Sequence, residues 1–348
     1  MSSGLARWRR SYANHYRGTM QLVDSLGRIA TDLRVSLTDK CNLRCTYCLP
    51  SEGIEWIPHS QLLTDDEVTR LIKIGVQLLG ITEVRFTGGE PLLRPGLCDI
   101  IAATSSLVDP PQTSLTTNGI GLHRVADQLS SAGLSRINVS LDTLNAERFR
   151  ALAKRDRLAD VLAGLAAAKT SGLSPIKLNT VLVRGINESD ATELLSFSLG
   201  EGFELRFIEQ MPLDAGRRWS RESMVTADEI LAAISARWVL SPDPSDRGAA
   251  PAQTWLIDGG PARVGIIASI TRPFCADCNR VRLTADGQIR NCLFAHNESD
   301  LRQLLRTGAT DNEIANAWCA AMASKAAGHG VNDVAYLQPT RPMSAIGG

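Results

Sequence analysis

The 348-residue sequence is poor in several features, and each shortage removes a class of protein. No stretch approaches the roughly 18 consecutive apolar residues of a membrane-spanning helix, and the first 20 residues lack the apolar segment of a secretory signal. Net charge is missing too. With 37 basic against 37 acidic residues, nothing global argues for wrapping nucleic acid or lying on an anionic membrane, so any anionic ligand must be read by local clusters. Low-complexity tracts and short-period repeats are absent. These absences predict a cytoplasmic protein with no nucleic-acid or membrane partner, and leave monomer and homodimer equally open. Residues 1–21 form a basic extension, and the first 20 carry four Arg, three Ser and no acidic residue. This composition suits a disordered tail; read instead as a mitochondrial transit peptide, it would change the compartment.

What the sequence has is cysteine in an uneven distribution. Six of eight cysteines fall in two tight triplets, Cys41, Cys45, Cys48 and Cys275, Cys278, Cys292. In a cytosolic protein such clustering points to metal or cluster binding rather than disulfides. Cys98 and Cys319 sit among apolar residues and read as inert buried thiols.

Short β-rich runs alternate with helix-like stretches from residue 31 onward: "DLRVSLT" (32–38), "EVRFTG" (83–88), "TSLTTN" (113–118), "RINVSL" (136–141), "KLNTVLV" (177–183) and "ELRFIEQ" (204–210). Six strands separated by helices predict repeated βα units, an α/β fold with a parallel sheet, and ligand sites at the C-terminal ends of the strands. Thr64 with Glu67 and Thr226 with Glu229 read as capping boxes; Gly80 and Gly172 read as helix stops. The Pro-, Gly- and Asp-rich "SPDPSDRGAAPAQ" (241–253) marks a loop or linker, dividing a barrel of residues 22–240 from a smaller region of residues 241–348.

"CNLRCTYC" follows the first strand directly. Three thiolates on one loop hold three irons of a 4Fe-4S cubane and leave the fourth iron open for a ligand; a zinc knot with a remote fourth ligand is the competing reading. In the second triplet, an Asp-Gly pair between alternating runs predicts a hairpin with a two-residue turn at Asp286 and Gly287. That turn would bring Cys292 opposite Val281 and close to Cys278. A zinc site completed by a His such as His296 and a second cubane with an open iron fit the spacing equally. Arg280 and Arg282, two apart on the outgoing strand, project to one face beside the triplet, as a phosphate site would require. Arg34, Arg85, Lys177 and Arg206 each lie within a predicted strand, and four such residues in a barrel suggest a cavity for a polyanion.

The Cys41 loop, with Tyr47 before its last cysteine, followed by "TGGEP" (87–91), resembles the signature of radical S-adenosylmethionine (SAM) enzymes. With "CNRVRLTADG" and the terminal "MSAIGG" added, residues 22–348 closely resemble the MoaA family, the GTP 3′,8-cyclases of molybdenum cofactor biosynthesis. The resemblance implies a partial (β/α)6 barrel of the radical SAM type and two 4Fe-4S clusters, on Cys41, Cys45 and Cys48 and on Cys275, Cys278 and Cys292. It implies SAM contacts from Tyr47, Gly89, Glu90, Ser140 and Met211. GTP would meet Arg34, Arg85, Thr116, Lys177, Arg206, Arg280 and Arg282, and the open iron of the second cluster would meet the guanine. Gly347 and Gly348 would thread into the active site, where with Arg280 and Arg282 they would be required for catalysis. In that family a 5′-deoxyadenosyl radical removes the hydrogen at C3′ of GTP, and C3′ bonds to guanine C8, giving 3′,8-cyclo-7,8-dihydro-GTP. A reductant such as flavodoxin or ferredoxin and the downstream enzyme MoaC are the implied partners. One departure is Glu83, where many members have Lys; triphosphate affinity or its salt dependence is expected to differ. The alternatives are a radical SAM peptide maturase with an auxiliary cluster, and a non-enzymatic zinc or iron-sulfur regulatory protein.

Overall fold

A computed structural model describes residues 20–347. The basic extension lies almost wholly, and Gly348 wholly, outside these residues. All six expected strands form: β1 (Asp32–Ser36), β2 (Glu83–Thr87), β3 (Gln112–Thr117), β4 (Arg136–Ser140), β5 (Ile176–Val181) and β6 (Glu204–Ile208). They pair in parallel in chain order, because each βα crossover returns the chain to the same end of the sheet. The crossovers are α1 (Asp65–Leu79), α2 (Leu97–Ser105), α3 (Ala126–Ser131), the pair α4 (Ala146–Ala153) and α5 (Leu158–Thr170), and α6 (Ala191–Glu201); α7 (Ala227–Ser235) follows β6. Both capping boxes are present, on α1 at Thr64 and Glu67 and on α7 at Thr226 and Glu229. Gly80 takes the left-handed conformation that ends α1, at φ 75°.

The region after residue 240 adds six strands to the same sheet: β7 (Leu240–Pro242), β8 (Gln253–Ile257), β9 (Arg263–Ile267), β10 (Arg280–Leu283), β11 (Gln288–Arg290) and β12 (Ser299–Asp300). The order is β12-β11-β10-β1-β2-β3-β4-β5-β6-β9-β8-β7, so the sheet stays open as a partial barrel. β9 lies parallel to β6 at one side and β10 parallel to β1 at the other. The expected linker is the loop between β7 and β8, which pair antiparallel. Helices α8 (Leu301–Arg306) and α9 (Asp311–Ala323) follow, α9 packing on α1; α10 (Met343–Ile346) forms near the C-terminus.

The hairpin turn differs from the expected two-residue form. Thr284 and Gln288 bracket three residues, the Gly287 amide bonds back to the Thr284 carbonyl at 2.9 Å, and Gly287 sits at φ 80°. This is a turn followed by a left-handed glycine, the common three-residue hairpin. Arg282 therefore pairs with Arg290, and the register carried onward sets Cys292 level with Arg280 rather than Val281. A one-residue shift of this kind exchanges the two faces of a strand, so it decides what the hairpin presents.

The two faces of the sheet differ sharply. Leu33 and Val35, Val84 and Phe86, Ile137 and Val139, Leu205 and Phe207 point outward and bury against the helices in one continuous apolar core. The alternate positions, among them Asp32, Arg34, Glu83, Arg85, Asn138, Lys177 and Arg206, share the concave face. Leu33, fully buried, lies where a methyl group added to Gly75 of α1 would come within 3.7 Å of it. Leu33→Ala is expected to cost about 2–5 kcal/mol in denaturant unfolding; a loss below about 1 kcal/mol would contradict this account of the outer face.

Candidate active site

Two cavities open on the concave face at the C-terminal rim. The smaller is lined by Cys41, Cys45, Tyr47 and Cys48 after β1, by Gly88 and Gly89 after β2, and by Ser140 and Asp142 at the end of β4. The larger holds Cys275, Cys278 and Cys292 together with Arg34, Arg85, Arg206, Arg280 and Arg282. Thr116 and Met343 line both cavities and so stand between them.

The glycines of "TGGEP" line the smaller cavity and also allow a close approach of backbone to backbone. A methyl group on Gly89 would meet the Lys40 carbonyl at 2.3 Å and the Asp39 carbonyl at 2.4 Å, and one on Gly88 the Thr38 carbonyl at 2.5 Å. The Gly89 and Glu90 amides donate to Thr38 and Lys40 carbonyls at 2.6 and 2.7 Å. These glycines thus press the second loop against the cysteine loop. Glu90 is fully engaged by the protein, accepting from Thr117 Oγ1 at 2.7 Å, the Asn118 amide at 2.7 Å and the Leu92 amide at 3.0 Å. Burial pushes its carboxyl up to about 7. It shapes the rim, placing Asn118, whose side chain reaches Asn42 at 2.7 Å.

Around the first triplet, Tyr47 donates to Asp142 Oδ2 at 2.6 Å, fixing the loop to β4. Burial raises the Asp142 carboxyl to about 6 and the Cys48 thiol to about 12, and the Cys45 thiol is raised by burial and by Asp142. These thiols become thiolates only when a metal or cluster supplies positive charge.

The larger cavity has the opposite character. Parallel register sets Arg282, Arg34 and Arg85 at one level on three adjacent strands. Burial, reinforced by mutual repulsion, lowers Arg34 to about 10 and Arg282 to about 9, and burial lowers Arg85 to about 10. Asp32 is the carboxylate that pairs with that row among the described residues, 3.8 Å from Arg34. Arg206 donates to Asn138 Oδ1 at 2.5 Å, and Asn138 to Thr116 Oγ1 at 3.2 Å. The Nε atoms of Arg34, Arg85 and Arg206 are buried without an acceptor among the described residues. Buried N–H donors carrying excess positive charge are a receptacle for a polyanion.

The other sequence-derived residues are placed less directly. Lys177 is spent on Glu204, Nζ to Oε2 at 2.6 Å, at the N-terminal end of the strands, and lines neither cavity. Glu83 is likewise spent on Arg136, at 2.5 Å. Met211 lines the larger cavity, away from the first triplet. Gly347 reaches the ends of β1 and β2: its carbonyl accepts from Arg282 Nη1 at 2.5 Å, and a methyl group there would meet Thr87 at 2.8 Å and Ser36 at 3.0 Å. Sequence reasoning missed Asn138 and Asn179, although both alternate in phase with strand basic residues; it also missed Phe274, which stacks on Arg280 at 4.9 Å.

The donor set can be tested against zinc and iron-sulfur. Among the described residues, no three His, Cys, Asp or Glu side chains close around a point as the ligands of one metal ion would. His296 is exposed. His329 lines the cavity with both ring nitrogens occupied, Nδ1 by the Val331 amide at 3.0 Å and Nε2 by the Ser269 carbonyl at 2.9 Å. Among the described residues neither triplet thus gains a histidine as fourth ligand, and three cysteines per site fit a cubane with one free corner.

Residues 35–198 match the model of the radical SAM superfamily, and residues 203–331 that of Molybdenum Cofactor Synthesis C. A GTP 3′,8-cyclase of Streptomyces coelicolor is 59% identical over 332 residues, covering 95% of this chain and 97% of the relative. The chain belongs to the GTP 3′,8-cyclase family of radical SAM enzymes. A family member from Mycobacterium tuberculosis, GTP 3′,8-cyclase 2, is 57% identical over 334 residues, with 95% and 93% covered. The structure of SuiB from Streptococcus suis bound to the precursor peptide SuiA aligns with a TM-score of 0.51 at 13% identity, over 88% of this chain and 66% of that one, a likeness of fold alone.

For this cyclase-family chain the arginine row predicts a trade of stability for binding. Arg85→Met is expected to leave the ligand-free protein at least as stable in thermal unfolding, while weakening GTP binding by about two orders of magnitude in calorimetry. Unchanged affinity would remove Arg85 from the site.

Proposed function

We propose that the chain is a radical SAM GTP 3′,8-cyclase, a lyase that joins C3′ of GTP to guanine C8 and gives 3′,8-cyclo-7,8-dihydro-GTP at the first step of molybdenum cofactor biosynthesis. The observation that carries the reading is the juxtaposition of a three-cysteine rim cavity with a second one lined by five buried or nearly buried arginines, sharing the wall made by Thr116 and Met343.

Cys41, Cys45 and Cys48 would hold the cluster that binds SAM, with Tyr47, Gly89 and Ser140 beside it. Cys275, Cys278 and Cys292 would hold a second cluster next to the substrate. Reduced by one electron from a flavodoxin- or ferredoxin-type donor, a cluster held at the first triplet would supply the electron that splits SAM into methionine and the 5′-deoxyadenosyl radical. The chain's own work is positional. Arg34, Arg85 and Arg282 offer a row of donors for the triphosphate, Arg206 is oriented by Asn138, and Arg280 is braced by Phe274. Lys177 and Glu83 act in our reading through their ion pairs, not as phosphate contacts. Glu90 acts by fixing Asn118, and Met211 stands on the GTP side. Gly347 fills the gap between Ser36 and Thr87 and in our reading helps close the rim against water, which a radical reaction requires; Gly348 is the residue that follows it. The division near residue 240 separates the SAM barrel from the segment bearing the second cluster, and the product would pass to MoaC. No helix among the described residues is long and apolar enough to cross a membrane.

Anaerobic reconstitution with iron, sulfide, SAM, GTP and a reductant tests the reading. The expected outcome is about eight irons per chain, as two cubanes require, and 5′-deoxyadenosine formed only with GTP present. GTP-independent cleavage, or a substitute peptide substrate, would overturn it. Deleting Gly347 and Gly348 is expected to abolish cyclisation while the iron content stays near its full value; normal turnover would exclude the tail from the chemistry.

A further inference from the structure

Lys325 lies two residues beyond α9, is 3% exposed, and belongs to no motif recognised in the sequence. Its Nζ stands 3.3 Å from Cys278 Sγ, 3.2 Å from the Cys278 carbonyl and 2.9 Å from the Arg280 carbonyl. Three acceptors around one nitrogen call for three N–H donors, which the ammonium has and the neutral amine lacks. Arg280 Nε approaches the same sulfur at 3.4 Å. The turn carrying Lys325 is itself pinned: Arg28 donates to the Cys275, Ala326 and Ala327 carbonyls at 2.8, 2.6 and 3.0 Å, and Asp24 holds Arg28 at 2.5 Å.

The first triplet is served differently. Cys41 Sγ receives the Leu43 amide at 3.4 Å and Asn118 Nδ2 at 3.9 Å, both neutral donors. The charged neighbours of that triplet are of both signs, Asp142 near Cys45, Asp214 near Cys48, and Glu90 and Arg44 near Cys41. Among the described residues, cationic side chains thus hydrogen-bond a ligating sulfur at the second triplet, whereas the sulfur of the first takes neutral donors.

We propose that Lys325 is a redox-positioning residue: its ammonium, with Arg280, holds the reduction potential of the second cluster above that of the SAM cluster. Reduction adds one electron and one negative charge to a cluster, with no bond or proton transferred. A cation on a ligating sulfur stabilises that added charge, and a hydrogen bond to the sulfur withdraws electron density in the same direction. The SAM site, whose Cys41 sulfur takes neutral donors, is left the stronger reductant, as cleavage of a sulfonium demands. The second is the preferred resting place of an electron from a flavodoxin- or ferredoxin-type donor. The inference rests on the iron-sulfur reading of the second triplet.

The test is a dithionite potentiometric titration of the reconstituted full-length protein, followed by electron paramagnetic resonance, comparing wild type with K325M, K325Q and K325R. A protein with Cys41, Cys45 and Cys48 all replaced by Ser assigns the second signal. Expected is a shift of the second midpoint to lower potential in K325M and K325Q by at least a tenfold change in the reduced-to-oxidised ratio, about 59 mV for one electron. K325R should stay near wild type, and the first midpoint should not move. An unshifted second midpoint in K325M overturns the inference. So does loss of iron in both uncharged variants with retention in K325R, which would make Lys325 a structural tie. Absence of any cluster in the triple-serine protein would instead remove the iron-sulfur reading of the second site, and the inference with it.

Discussion

Three arginines at one level on three adjacent strands, Arg282, Arg34 and Arg85, are the constraint to which the rest of this molecule answers. Like charges on neighbouring strands repel, and burial removes the water that would screen them. The fold holds them only because other contacts are strong. On the outer face the same strands bury Leu33, Val35, Val84 and Phe86 against helices. On the inner face Asp32 offsets a fraction of the charge, and the Gly347 carbonyl takes a hydrogen bond from Arg282. The Nε atoms of Arg34 and Arg85 have no acceptor among the described residues, so an anion bound there would meet donors already in place.

The other charged strand residues follow from that constraint. Lys177 with Glu204 and Arg136 with Glu83 form a layer of ion pairs at the N-terminal ends of the strands. Any of these charges left alone would add to the field of the arginine row or weaken it. Glu83, a carboxylate at a position where lysine would be at home beside a triphosphate, reduces the positive field from below, yet its partner Arg136 confines that effect. The two cysteine sites differ in what touches their sulfurs: Cys41 takes neutral donors, whereas Arg280 and Lys325 approach Cys278 and, against burial, bring its thiol down to about 6.

Much of this was legible because the signals are local. Capping boxes, strand alternation and cysteine spacing depend on neighbours in the chain, and β1 to β6 and the capping boxes of α1 and α7 formed as read. What was not legible depends on register and on distant segments. An Asp-Gly pair permits both two- and three-residue hairpins, and here Thr284 and Gln288 chose the longer, moving Cys292 by one position. Whether Lys177 faces a ligand or Glu204 depends on how far down the barrel it sits, which no local pattern encodes. Lys325 reaches Cys278 from 47 residues away, and Met343 enters both cavities from a four-residue helix; neither carries a motif.

An open sheet cannot by itself exclude water from a radical, and the C-terminal segment completes the enclosure by spanning the rim. Its path is fixed at three points. At its base, Arg341 grips both oxygens of Asp286, at 3.0 and 2.7 Å, and Glu298 at 2.8 Å. Midway, the Met343 amide donates to the Leu213 carbonyl at 3.0 Å, and Ile346 joins Leu213, Met224, Ile270 and Phe294 in a small apolar cluster apart from the main core. At its end, Gly347 occupies a space that admits no side chain. Asp286 and Arg282 belong to the same hairpin, so the base of the tail and the arginine that meets its end are carried by one rigid element. The tail is thereby tied through one hairpin to Arg282 and to the strand that follows Cys278, so a shift of that hairpin would displace the tail with it.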